Sequence, residues 1–407
     1  MSLKVLGKLG GLRLLSLSLM LAQNVLVVRF MALEDIGQYY LMVTVAYLGN
    51  ATIFVGTDLY LQRQLAHLSS RAELNQAALY RYVASTAAVG GGVVLIAAAL
   101  YFFGTAWPEW WLPSLVCTTL SVATYLSGLG RNLCQLAAHP AFSNLGPVTE
   151  GLFRSIALCG LAYLGQAHPL SVAAASAAGS LLAAAVTLGL LLRAMKRRNS
   201  EVSSYRGKTR LLGDTVVSIG TSGILNWAQL QGYRPLMMSM PNGGQVVGSV
   251  AFMSTLGSTA ANAVFTILAQ LQVPQQYNTR GASTPRYLRL LGFTALGLSL
   301  ICLPAGAVFL WLSAKTQLMG LVYLVAVGVL VEAGNAAIGV CTHHMNALDQ
   351  KMWGLPLAGF LGCALTFGMI IIPVSSDPHL RVAIALLAGQ ALAVSSILYL
   401  TYRTDRH

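Results

Sequence analysis

Charge is scarce in this chain. Only 9% of its 407 residues are Asp, Glu, Lys or Arg, and just 12 are acidic, whereas soluble domains carry about 25% charged residues. A soluble fold with a fully solvated surface is excluded on that ground. Paired cysteines are missing too. Cys117, Cys134, Cys159, Cys302, Cys341 and Cys363 are scattered, with no CxxC or Cys/His spacing. This removes a disulfide framework and a zinc site and leaves six small packing residues. No DxD, GxSxG or glycine-rich loop ending in lysine occurs, so neither a cofactor nor an enzyme activity is expected. One HxxxxD string, His344 to Asp349, supplies a base and its partner in some acyltransferases. Here it sits in a short connection with no globular domain around it, and no catalytic role is expected for it. Residues 83–106 and 318–331 are apolar without alternation, which excludes barrel strands of about ten alternating residues. The first apolar run, after Lys4, Lys8 and Arg13, continues to Leu33 without a small-residue cleavage site. It reads as an uncleaved span rather than a leader.

What the chain has in abundance is apolar length. Hydrophobic residues make up 56% of it, and its mean hydropathy is +0.67. About 20 apolar residues cross a hydrocarbon core about 30 Å thick, and helices are the spanning element that satisfies its own backbone. Twelve such stretches are expected, at 14–33, 36–57, 83–105, 112–130, 148–164, 170–192, 215–238, 246–273, 288–312, 318–340, 353–373 and 382–402. An even number leaves both termini on one side. With that side cytoplasmic, only Arg29, Arg234, Lys315 and Arg381 of the 25 basic residues fall on the other. Positive-inside bias favours this orientation strongly. The net charge of +13 is therefore topogenic, and no nucleic acid is expected as a partner. Trp107, Trp110 and Trp111 fall where an outer aromatic belt belongs.

The longest polar connection is basic and flexible (RAMKRR, then Ser203, Ser204 and Gly207). It divides the chain into a six-helix lobe at 1–195, a cytoplasmic linker at 196–213 and a second six-helix lobe at 214–407. The halves resemble each other. Aligning Arg29 with Arg234 places Asn24 on Gln229 at an offset of 205; segments from Gly37 and Gln135 find counterparts from Gly248 and Met345 at offsets of 211 and 210. An internal duplication follows, with two parallel six-helix repeats related by a pseudo-two-fold axis along the membrane normal and a site at their interface. The expected fold is all-α, a polytopic membrane protein of twelve helices in two six-helix bundles.

Polar residues inside spans are where chemistry is expected, because charge in hydrocarbon is costly and faces a cavity or a partner. Glu332 lies deep in span ten with Asn335 one turn away; it is either a hydrogen-bonded packing residue or an ion-coupling carboxyl. Arg29 and Arg234 occupy matching places near outer helix ends, either snorkelling to the interface or facing a central cleft where a guanidinium can grip phosphate bidentately. Arg154 follows Glu150 by four residues, the spacing of an ion pair on one helix face. Arg131 ends span four at the interface. Asn24, Asn226, Gln229 and Gln231 make spans one and seven the polar ones, as befits helices lining a hydrated cleft.

These features together resemble the Wzx-type polysaccharide flippases, in the superfamily that also holds the lipid II flippases and the multidrug and toxin extruders. The resemblance rests on Val27–Gly49 (VVRFMALEDIGQYYLMVTVAYLG), with its arginine, short acidic turn and Gly-x-Tyr entering span two. It rests also on Leu133–Leu145 (LCQLAAHPAFSNL) and its counterpart MNALDQKMWGL after span ten. The second half departs at PNGGQ, Pro241–Gln245, which lengthens the turn after Arg234. The resemblance implies movement of an undecaprenyl-diphosphate-linked oligosaccharide between leaflets of the bacterial cytoplasmic membrane, for O-antigen or exopolysaccharide synthesis. Arg29, Arg154 and Arg234 would then give the cleft its positive potential, and Asn24 and Gln229 would contact sugar. Glu332 would couple transport to H+ or Na+, and other polysaccharide-assembly proteins would be partners alongside membrane lipid. A multidrug antiporter of the same superfamily, a lipid II flippase, and a membrane polymerase or acyltransferase are the alternatives.

Overall fold

A computed structural model describes residues 3–55, 76–136, 140–196, 210–348, 352–372 and 375–404. Residues 197–209 of the basic linker lie outside them, as does Asp349 of the HxxxxD string. All regular structure among the described residues is helical. Twelve long helices follow one another: α1 (Leu3–Phe30), α2 (Leu33–Gly49), α3 (Gln76–Gly104), α4 (Trp111–Leu136), α5 (Pro140–Tyr163), α6 (Pro169–Lys196), α7 (Arg210–Gln231), α8 (Gly243–Asn278), α9 (Thr284–Leu312), α10 (Tyr323–Ala347), α11 (Gly354–Ile371) and α12 (Pro378–Thr404). Nine are long and apolar enough to cross a membrane. The other three are α2, which is short, and α5 and α7, which carry the Glu150–Arg154 pair and a run of amides.

By contacts the chain forms two compact units, Met1–Leu26 with Leu41–Gly220, and Val27–Tyr40 with Thr221–His407. In the first, α6 packs on α4 and α5, and α3 on α4. In the second, α12 packs on α10 and α11, and α9 on α10, so the same neighbours recur six helices on. The first unit's core centres on Tyr125, Leu129 and Leu133 of α4 with Phe54 and Leu191. A π-helical turn, Asn50–Phe54, extends α2 and delivers Phe54 to this core. Its ring stacks on Tyr125 at 4.2 Å, with Gly90 providing the room. The second unit's core joins Cys341 and Met345 of α10, Leu355 and Ala358 of α11, and Ile397 of α12.

Two segments at helix ends belong with the other half of the sequence. Val27–Tyr40, the end of α1 and start of α2, packs in the second unit, and the start of α7 packs in the first. The first of these is held by backbone approach. A Cβ at Gly37 would overlap the carbonyl oxygen of Gly244, and one at Gly248 would overlap that of Leu33, so α2 and α8 meet where neither has a side chain. Lys315 Nζ donates to the Met31 carbonyl at 3.3 Å, a cation at the C-terminal end of α1 where the helix dipole favours one.

The 36 residues of α8 extend about 54 Å at 1.5 Å per residue, well beyond a hydrocarbon core. At its far end Gln276 Nε2 donates to Thr284 Oγ1 at 2.9 Å, and that hydroxyl meets His344 Nδ1 at 2.9 Å. Gly281, at φ +82°, leaves space for the imidazole. His344 is thus a buried tie between α8, α9 and α10. All six cysteines are free.

Candidate functional site

The second unit contains a continuous chain of polar side chains. Gln229 of α7 donates through Nε2 to Gln390 Oε1 of α12 at 2.9 Å. Gln390 Nε2 donates to Asn335 Oδ1 of α10 at 3.2 Å, and Asn335 Nδ2 donates to Glu332 Oε2 at 3.3 Å. Three amides and one carboxyl therefore link three helices. Glycine makes the room: a Cβ at Gly334 would overlap Gln390, and one at Gly362 would come within 2.6 Å of Gln229 Oε1. Gln229 is only 1% exposed, yet its Oε1 has no hydrogen-bond partner, and Asn226 Oδ1 and Gln231 Oε1 on the same helix are also buried without one. Buried acceptors left unsatisfied cost about 1–3 kcal/mol each. Such groups are ready to accept from a hydroxyl, an amide or water.

In the first unit the polar centre is Glu150 of α5. Its Oε1 pairs with Arg154 Nη2 and accepts from Ser180 Oγ of α6 at 2.8 Å, while Arg154 Nη2 also donates to Ser180 Oγ at 2.7 Å. Ser127 Oγ of α4 reaches Glu150 Oε2 at 3.5 Å. Gly179 makes space for the arginine stem. The i,i+4 pair is thus present and is braced by serines from two other helices.

The structure distributes the sequence-derived candidates between the units. Asn24, half-buried, and Arg154 lie in the first; Arg29, Gln229, Arg234 and Glu332 lie in the second. Only Gln229 and Glu332 are joined, through Gln390 and Asn335. Arg29 is exposed in the last turn of α1. Arg234 has a different setting. The chain breaks after α7 at Gly232 and resumes as a short helix, Tyr233–Met238. There Arg234 is 8% exposed, its guanidinium 5.4 Å from the Tyr40 ring and 5.7 Å from the Tyr233 ring. Its Nη1 donates to the Tyr40 carbonyl at 3.4 Å. The PNGGQ insertion continues this irregular stretch, with Asn242 in the left-handed region at φ 57° before α8. Gln390, Ser127 and Ser180 are polar-centre residues that sequence reasoning passed over. A lone amide in the apolar run of α12 was the available signal for Gln390; serines among alanines gave none.

Comparison with solved structures gives the architecture its context. A mutant of the Vibrio cholerae MATE transporter VcmN superimposes with a TM-score of 0.59 at 15% identity, covering 98% of this chain and 96% of that one. The lipid II flippase MurJ in an inward closed conformation gives 0.64 at 13% identity, covering 98% and 87%. A MATE protein in complex with MaD5 gives 0.66 at 13% identity, covering 98% and 95%. The fold is that of these transporters. Two bundles of six helices are the architecture the chain shares with them. No protein-family model matches the chain, and no curated protein sequence matches it.

Proposed function

We propose that the chain is a flippase that moves undecaprenyl-diphosphate-linked oligosaccharide units from the inner to the outer leaflet of the bacterial cytoplasmic membrane. Alternating access of two lobes, 1–195 and 214–407, would carry the cargo for O-antigen or exopolysaccharide synthesis, with both termini cytoplasmic. The observation that carries this reading is the sign of the buried charge. Arg131, Arg154 and Arg234 are half-buried to buried, and Glu150, the acid beside Arg154, is committed to that arginine. A diphosphate cannot cross hydrocarbon bare, and guanidinium groups suit it by charge and by fork geometry. The amide acceptors of α7 would meet sugar hydroxyls, and the prenyl chain would remain in lipid. The fold of a lipid II flippase supports cargo of this class.

A second reading, an ion-coupled multidrug antiporter, has equal support from the MATE structures. Glu332 favours it, since a carboxyl whose polar neighbour is an amide can exchange H+ or Na+. Glu332 serves ion coupling under either reading. Purified protein in proteoliposomes, supplied with labelled undecaprenyl-diphosphate sugar and separately with a cationic dye, separates the two. Movement of the lipid, accelerated by an ion gradient, is expected. Dye efflux with no lipid movement would sink the flippase reading.

A further inference from the structure

Among the described residues, no acidic side chain pairs with Arg131. Its stem crosses Gly146 of α5, where a Cβ would lie 3.7 Å from its Cγ, and its head lies back toward Gly128, one turn earlier on α4. The Nε is buried without a hydrogen bond, and among the described residues the side chain makes no hydrogen bond or ion pair. The nearby acid is committed elsewhere. Glu150 is taken by Arg154 and Ser180, and Ser127, one turn before Arg131, points its hydroxyl at Glu150 as well. Arg131, Glu150 and Arg154 together carry one net positive charge.

Depth argues against snorkelling. Arg131 follows Trp111, the first residue of α4, by twenty residues, or about 30 Å of helix, which is the thickness of the hydrocarbon core. With the tryptophans at the outer interface, Arg131 stands at the inner one. A snorkelling arginine there would reach onward to cytoplasmic water. Helical side chains instead lean toward the N-terminus, and this one does, so its head is turned from the inner interface back into the membrane. One guanidinium so placed offers unfilled N–H donors near headgroup depth. A second, that of Arg154, lies two turns along α5 from Gly146, about 12 Å deeper, and its Nε is also buried without a partner.

We propose that Arg131 binds the phosphate or diphosphate group of a lipid in the inner leaflet. The inference rests on the flippase reading for its cargo, though the phosphate chemistry stands without it. Two sources carry that chemistry: the diphosphate of a lipid-linked sugar and the headgroup of a phospholipid.

The test uses the purified full chain in detergent, with native mass spectrometry of three probes: undecaprenyl diphosphate, phosphatidylglycerol and undecaprenol. Arg131→Gln weakens undecaprenyl diphosphate by about tenfold or more, Arg131→Lys recovers part of the loss, and undecaprenol binding does not change. Arg289→Gln, which removes an exposed charge from α9, leaves all three unchanged. Equal loss of phosphatidylglycerol retains the phosphate site but assigns it to bulk headgroups. No loss of either phosphorylated probe, in a variant that melts with the wild type, overturns the proposal. If Arg131→Gln does not fold, Arg131→Lys alone decides it, because an ammonium cannot reproduce a bidentate grip and binding unchanged by it removes the site. Wild type that binds undecaprenyl diphosphate but never moves it in proteoliposomes would sink the flippase reading and leave the Arg131 site standing.

Discussion

The polar centres of the two units use corresponding helices in different ways. Ser127 of α4 and Ser180 of α6 surround a carboxylate that is locked to a guanidinium. Six helices on, α10 and α12 instead carry Glu332, Asn335 and Gln390, a chain of amides with the carboxyl at its end. In the first unit the acid is already paired with Arg154, so under the proposed function an anionic cargo would meet the remaining positive charge. In the second the acid's hydrogen-bond partner among the described residues is an amide, and under the proposed function it would take up a cation. Under the proposed function, one repeat would hold cargo and the other would sense an ion, a division of labour that duplication followed by divergence can produce.

The comparison is easiest to break at the ion pair. Arg154→Ala leaves Glu150 a half-buried charge without its cation and should cost about 3 kcal/mol, read as a fall in Tm of the detergent-solubilised protein. The Glu150→Gln, Arg154→Gln double variant should cost much less than the sum of the singles, because both charges are gone. Gln390→Leu cuts the other centre in the middle, strands the amides of Gln229 and Asn335, and should cost about 1–3 kcal/mol. Arg234→Gln loses two aromatic faces and the Tyr40 carbonyl and should cost about 1–2 kcal/mol. Glu332→Gln, by contrast, keeps a hydrogen-bonding partner for Asn335. Tm should move by no more than about 0.5 kcal/mol equivalent, while dependence of transport on an ion gradient disappears. A destabilised Glu332→Gln protein with intact gradient dependence would make this carboxyl a packing residue and dissolve the contrast between the units. The smallest effect is expected of Arg29→Gln, within about 0.5 kcal/mol, since that side chain is exposed.

Local physics made much of this legible in the sequence. Apolar runs gave the twelve helices, four-residue spacing gave the Glu150–Arg154 pair, and three-residue spacing gave Glu332 with Asn335. Gln390 was out of reach because its partner Gln229 lies 161 residues away, and periodicity within one helix says nothing of what crosses it. The place of Arg131 near the end of its helix is legible in the sequence, while the direction of its side chain is not. Matching Arg29 to Arg234 by spacing was natural, yet a helix break at Gly232 gives the second a buried aromatic seat that the first lacks. Short irregular segments answer to tertiary neighbours, and a linear pattern does not record those.

The meeting of Gly37 with Gly244 has a consequence for how the protein is made. Gly244 leaves the ribosome 207 residues after Gly37; at about 5–20 residues per second that interval is about 10–40 s. Until then the tips of α1 and α2 are inserted without the surface they finally rest on. A nascent chain arrested before α8 should accordingly leave Gly37 open to protease and to thiol reagents at an introduced cysteine, and both should lose access once α8 has been threaded.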